Sequence, residues 1–178
     1  GISKGFGLGD EFSFDAIGNV TIAAEIDMTG DNFGGDITVL SDGLITVSAR
    51  IRTATPIDPV NKPGSLGGTI DLEGCQINVT ATGQVIATGP GGIPSGANYL
   101  AAATGLTIAG QLTATAENEL RWRTTAPVVS GPVAPPQTLV NDLLIPCCGV
   151  SCPTTTTTST STSTTTLKPT TTTSTSTT

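Results

Sequence analysis

The sequence predicts an all-β fold: a short three-sided parallel β-helix, a β-solenoid of about four coils, with an extended C-terminal arm and tail. Three observations lead there. Up to about residue 125, β-branched and other apolar residues alternate with polar ones in short runs broken by Gly, as in strands joined by tight turns. These runs recur as an internal repeat, three to a copy. The copies grow at a single place, the loop after the third run.

The first copy is "DEFSFDAIGNVTIAAEIDMTG", followed by "GGDITVLSDGLITVSARIRTATP", "GGTIDLEGCQINVTATGQVIATGP" and "TGLTIAGQLTATAENELRWRTTAP". Aligned, the first runs match Phe12 and Phe14 with Ile37 and Val39, Ile70 and Leu72, then Leu106 and Ile108. The second runs match Val20 and Ile22 with Ile45 and Val47, Ile77 and Val79, then Leu112 and Ala114. The third match Ile26 and Met28 with Ile51 and Thr53, Val85 and Ala87, then Leu120 and Trp122. All three columns advance by 25, then 32–34, then 35–36 residues. The increments fall in "PIDPVNKPGSLG" and "PGGIPSGANYLAAA", the latter with a short helix expected at "ANYLAAA".

Three strands per coil, alternate residues inward and growth at one corner describe a solenoid, each strand pairing with its equivalent ~4.8 Å along the axis. An antiparallel sandwich is the competing arrangement, but it gives no reason for three columns to share one spacing. The "GGDITV" and "GGTIDL" starts and the "GLITV" second strand resemble the right-handed parallel β-helix of filamentous-haemagglutinin-like adhesins and pectin-lyase-like proteins. The resemblance covers roughly residues 11–125 and implies a fold, with little said of activity.

The expected organisation is an extended, Gly-rich N-terminal arm at 1–10, the β-helix at 11–125, a Pro-rich arm and Cys cluster at 126–153, and a Thr/Ser-rich tail at 154–178. Within the arm, "APVVSGPVAPPQ" favours extended backbone, and "TLVNDLLIP" is apolar with helix and strand both open. Neither end of the stack shows an amphipathic capping helix. Exposed strand edges of that kind pair with other chains unless covered.

Four cysteines, Cys75 and the cluster Cys147, Cys148 and Cys152, suit an oxidising compartment. Adjacent Cys147 and Cys148 are awkward to join, so Cys75 is expected to bond one member of the cluster. Three clustered thiols could also bind zinc, but there is no His and the fourth thiol is remote. In the tail, Thr154, Thr155, Thr156, Thr157, Thr158, Ser159, Thr160, Ser161, Thr162, Ser163, Thr164, Thr165, Thr166, Thr170, Thr171, Thr172, Thr173 and Ser174 are expected O-glycan acceptors on a mucin-like stalk. A bare disordered linker is the plainer reading. The "NVT" sequons at Asn19 and Asn78 are candidate N-glycan acceptors.

A net charge of −7 with seven Lys and Arg argues against nucleic acid as a partner. No apolar run approaches the ~20 residues of a membrane span, and no signal peptide is read, so a secreted protein is expected to appear here in its mature form. A Ser–His triad is excluded because the chain has no His. Asp15 and Asp71, with Thr38 between them, are expected on the outer face of the first column, too far apart to serve one substrate atom. Calcium near Asp27, Asp31 and Asp36 would need more than "GDNFGGD", which lacks a calcium-roll repeat. No cofactor, resident metal or catalytic set is therefore expected. In the third column Glu25 and Asp27 align with Arg50 and Arg52, and "RIRTATP" recurs as "RWRTTAP". Arg121 and Arg123 are thus expected on the same face, forming an inter-subunit charge ladder with Glu25 and Asp27 of the next copy.

These expectations converge on a non-enzymatic extracellular structural subunit that polymerises end to end into a glycosylated surface or secreted filament. Its partners would be copies of itself and covalent glycans. The alternative is a monomeric adhesin-type β-helix that binds a glycan or host surface.

Overall fold

The structure, a computed structural model, describes residues 2–3, 11–31, 33–55, 66–89, 96–146 and 148. Among the described residues the fold is all-β, without helix. The strands are β1 (Ile2–Ser3), β2 (Glu11–Ala16), β3 (Val20–Ile22), β4 (Ile26–Asp27), β5 (Asp36–Val47), β6 (Arg50–Ala54) and β7 (Thr69–Val79). They continue as β8 (Gln84–Thr88), β9 (Ala97–Ile108), β10 (Gln111–Ala114), β11 (Glu117–Trp122), β12 (Val128–Val129), β13 (Val133–Ala134) and β14 (Thr138–Asn141).

Every pairing between these strands is parallel. One six-stranded sheet runs β1-β4-β6-β8-β10-β13. The other runs β14-β11-β9-β7-β5-β2, with β3 added to β5 and β12 to β9. Inside β5, β7 and β9 the register shifts near Ser41/Leu44 and Gly74/Gln76, so each long strand holds two pairing blocks. The chain visits the first block, the second block and the six-stranded sheet in that unvarying order.

Alternation decides which side of each strand is buried. β7 buries Ile70, Leu72, Ile77 and Val79 while Asp71, Glu73 and Asn78 face away. Equivalent positions stack: Val39, Leu72, Leu100 and Leu120 in the first block, Ile45, Ile77 and Leu106 in the second, Ile51, Val85 and Leu112 in the other sheet. All are essentially inaccessible, and together they form one continuous core. Burying such a side chain contributes about 1.5–3 kcal/mol.

The corner before the six-stranded sheet explains two glycines. A Cβ on Gly110 would collide with the carbonyl oxygens of Gly83 and Thr80, and one on Gly131 with those of Gly110 and Ala109. Successive corners approach backbone to backbone there, leaving room for hydrogen only.

The first three copies align as the sequence predicts; the fourth does not. "ANYLAAA", expected to include a helix, is the first half of β9, with Asn98 opposite Ile70 and Leu100 opposite Leu72. Leu106 and Ile108 therefore belong to the second block, opposite Ile77 and Val79, and Leu112 and Ala114 to the six-stranded sheet, opposite Val85 and Ala87. Leu120 opens a further copy, opposite Leu100. Ladders also continue past residue 125: β12, β13 and β14 pair with β9, β10 and β11. The Pro-rich stretch is thus part of the stack, its extended backbone serving as strand.

Candidate functional site

Among the described residues the sheets leave edges at both ends of the stack. At one end lie β1, β2 and β3; at the other β12, β13 and β14. Beside β2 and β3, the side chains of Phe12, Phe14, Val20, Ile22 and Ile26 line an apolar hollow of about 270 Å³. Phe14 is 45% exposed. At the opposite end Leu139 is 52% and Val128 61% exposed, although both belong to strands. An edge that presents unpaired N–H and C=O groups beside uncovered apolar residues is a template for another strand.

The charged positions resolve into two separate sets. On β6, Arg50 Nε donates to Glu25 Oε1 at 2.9 Å, and Arg52 lies 3.7 Å from Asp27. The Glu25 hydrogen bond and charge raise the Arg50 pKa above its ordinary value. Arg121 and Arg123 do not share that face. β11 lies in the eight-stranded sheet, where Arg121 pairs with Glu119 and Asp142, and Arg123 donates to the Ile145 carbonyl at 2.9 Å. A ladder from Arg121 and Arg123 to Glu25 and Asp27 of another copy is therefore not available: the columns differ. The error came from matching β11 to β6 on the likeness of "RWRTTAP" to "RIRTATP".

Asp71, Glu73, Tyr99 and Arg121 line a shallow depression of about 270 Å³ on the eight-stranded sheet. Burial raises the Asp71 pKa, Glu73 adds to the rise and Arg121 opposes it. Burial also raises that of Tyr99, helped by the hydrogen bond from its hydroxyl to Glu117 at 2.9 Å. Thr38 sits between Ser13 and Asp71, whereas Asp15 opposes Leu40, whose other neighbour is Glu73. Asp15 and Asp71 thus stand in adjacent outward rows, not in one.

Cys75 bonds Cys148, with Cα atoms 5.3 Å apart. Cys147 and Cys152 lie outside the described residues, as do all the expected O-glycan acceptors from Thr154 to Ser174. After β14 the chain turns back, with Asp142 N donating to Trp122 O at 2.7 Å and Leu144 N to Asp142 Oδ1 at 2.8 Å. It then crosses the outside of the sheet, burying Ile145 against a pocket shared with Asp15, Leu40, Glu73 and Cys75. This strap carries the chain from the terminal strand back past β11 and β9 to β7.

Of the sequons, Asn19 is exposed just before β3, with its Oδ1 accepting from Leu44 N at 2.9 Å, while Asn78 faces outward within β7, half-buried between Thr46 and Thr107. Asp27 Oδ1 accepts from Thr29, and Asp36 Oδ1 accepts from the backbone N–H and hydroxyl of Thr69 at 2.8 Å each. Among the described residues no group of three acidic, Cys or His side chains has a metal-holding arrangement, and no helix is long and apolar enough to cross a membrane.

Sequence reasoning missed Asn98 and Asn118, which are stacked in β9 and β11 and fully buried. Asn98 Nδ2 donates to Asn118 Oδ1 at 2.8 Å and Thr113 O at 3.0 Å, and Asn118 Nδ2 donates to Pro135 O at 2.9 Å. The available signal was the recurrence of Asn-x-Leu in "NYL" and "NEL", each two residues ahead of a core leucine. Comparison with protein-family models, curated proteins and solved structures gives no match to this chain.

Proposed function

We propose that the chain is a three-sided parallel β-solenoid working as an extracellular structural subunit that polymerises end to end, its Thr-rich tail carrying O-glycans. The observation that carries this reading is the pair of apolar, parallel strand edges at the two ends of the stack, uncovered among the described residues. In a parallel stack both ends present strands running the same way, so the tail end of one copy matches the head end of the next. Such a heterologous contact does not close on itself and propagates as a fibre. The cyclic visiting order of the three ladders supports the three-sided coil. A disulfide and a hydroxyl-rich tail support an oxidising, extracellular setting.

Negative-stain microscopy and sedimentation of purified protein over a wide concentration range test the reading. Filaments that lengthen with concentration are expected. Monodisperse particles throughout would overturn it and leave the monomeric adhesin, whose lateral faces bind a glycan or host surface.

A further inference from the structure

We infer that the joint between subunits is an in-register continuation of two ladders, with an axial repeat of six strands; this rests on the end-to-end reading and specifies its interface. The occupant of each open end is a second copy of the chain. Among the described residues each of two ladders holds six strands: β2, β5, β7, β9, β11 and β14 in the first block, and β1, β4, β6, β8, β10 and β13 in the other sheet. The second block holds five: β3, β5, β7, β9 and β12. When β1 of an incoming copy lies on β13, its β2 falls on β14, because both ladders have the same count. Six spacings of ~4.8 Å give a rise of about 29 Å per subunit.

The side chains fit that register. Along the inward row Phe14, Val39, Leu72, Leu100, Leu120 and Leu139 follow one another on adjacent strands. Its two terminal members, Phe14 and Leu139, are also its exposed ones, and the joint sets them opposite each other. The outward row beside it runs from Ser13 to Thr138, a small polar pair that tolerates contact. In the second block the joint is one strand short, leaving a strand-wide slot between Val128–Val129 and the hollow lined by Val20 and Ile22.

The course of the C-terminal chain argues that a second copy, and not this chain's own tail, occupies the terminal edge. The Cys75–Cys148 bond holds Cys148 against β7, three strands in from β14. The described chain therefore ends on the flank of the stack and leaves the terminal edge of β14 uncovered.

The test is disulfide trapping together with the filament's own periodicity. Ser13→Cys protein is mixed with Thr138→Cys protein, assembled, oxidised, and the new bond mapped by mass spectrometry. Glu11→Cys and Asp15→Cys replace Ser13→Cys in controls that sit two residues out of register on the same face. A 13–138 bond at least tenfold over either control, with a rise of about 29 Å in filament images, is the expected result. Filaments with a different rise, or trapping at 11 or 15 instead, would overturn the register and leave polymerisation standing. Absence of filaments in unsubstituted protein would remove both.

Discussion

Replacing Cys75 and Cys148 together by Ser removes the cross-link between the middle of the stack and the returning strap, and leaves no thiol at position 75 for another cysteine to pair with. The bond joins residues 73 apart in sequence. In the chain-entropy account, closing a loop of that size takes ~15 cal/mol/K from the unfolded ensemble, or about 4 kcal/mol at 25 °C. Domains of this size have a net stability of about 5–15 kcal/mol, so the loss is a large share of the whole. Native contacts of the strap, Ile145 in its pocket and Arg123 on the Ile145 carbonyl, do not depend on the sulfur atoms and should persist. Urea unfolding of both proteins measures the difference. With a slope near 2 kcal/mol/M the midpoint should fall by about 2 M. A fall below ~0.5 M with unchanged slope would refute the reasoning, because the unfolded chain would then gain little freedom from losing the bond.

Two further perturbations address buried polar groups. The Asp71 pKa is raised from its ordinary 3.8, chiefly by burial, so the folded state holds that proton more tightly than the unfolded chain does. Stability should fall as pH rises from about 3.8 through the raised value, and Asp71→Asn should remove that step and match or exceed the original protein at pH 7; a steeper loss in the variant would refute it. Asn98→Asp places a carboxylate at a fully buried position facing Thr113 O and Asn118 Oδ1, where the amide now donates. A cost of several kcal/mol at pH 7, partly recovered toward pH 4 as the acid protonates, is expected from denaturant midpoints; a pH-independent loss would contradict it.

The first three repeats could be read from the sequence because their inward positions are filled by Ile, Val and Leu at period two, from Ile37 and Val39 to Ile70 and Leu72. The fourth was obscured twice over. Its first strand places a polar residue, Asn98, where an aliphatic one is expected, and follows it with Tyr99, Leu100 and three alanines, a helix-favouring composition. Tertiary context overrides that preference: the segment lies on a ready ladder, and Asn118 partners its amide. Once that strand was missed, each later run shifted by one column, which moved Arg121 and Arg123 onto the wrong sheet. The bond from Cys75 to the cluster was legible because it needed no register, only the exclusion of neighbours. The strap was not, since "DLLIP" follows a strand and carries no period of its own.

The unequal strand counts bear on specificity more than on stability. Were all three ladders complete to the same height, an approaching copy could dock in three rotational settings, each continuing parallel strands with apolar rows. The second block stops at β12, while β14 extends the first block beyond it and then surrenders the chain to the strap. The strap's own contacts, Ile145 in its pocket and Arg123 on the Ile145 carbonyl, hold the described chain after β14 against the sheet, where it adds no strand to the second block. In the proposed joint, β1 on β13 and β2 on β14 keep Phe14 on the row that ends in Leu139, whereas a copy turned by one ladder would set β1 on β12, β2 on β13 and β3 on β14, continuing every ladder but ending that row on a different one. The in-register setting leaves the edge groups of β12 and of the incoming β3 facing the slot, at a cost of about 1–3 kcal/mol for each one left buried and unpaired. Trapping between positions 13 and 138 therefore distinguishes the two settings.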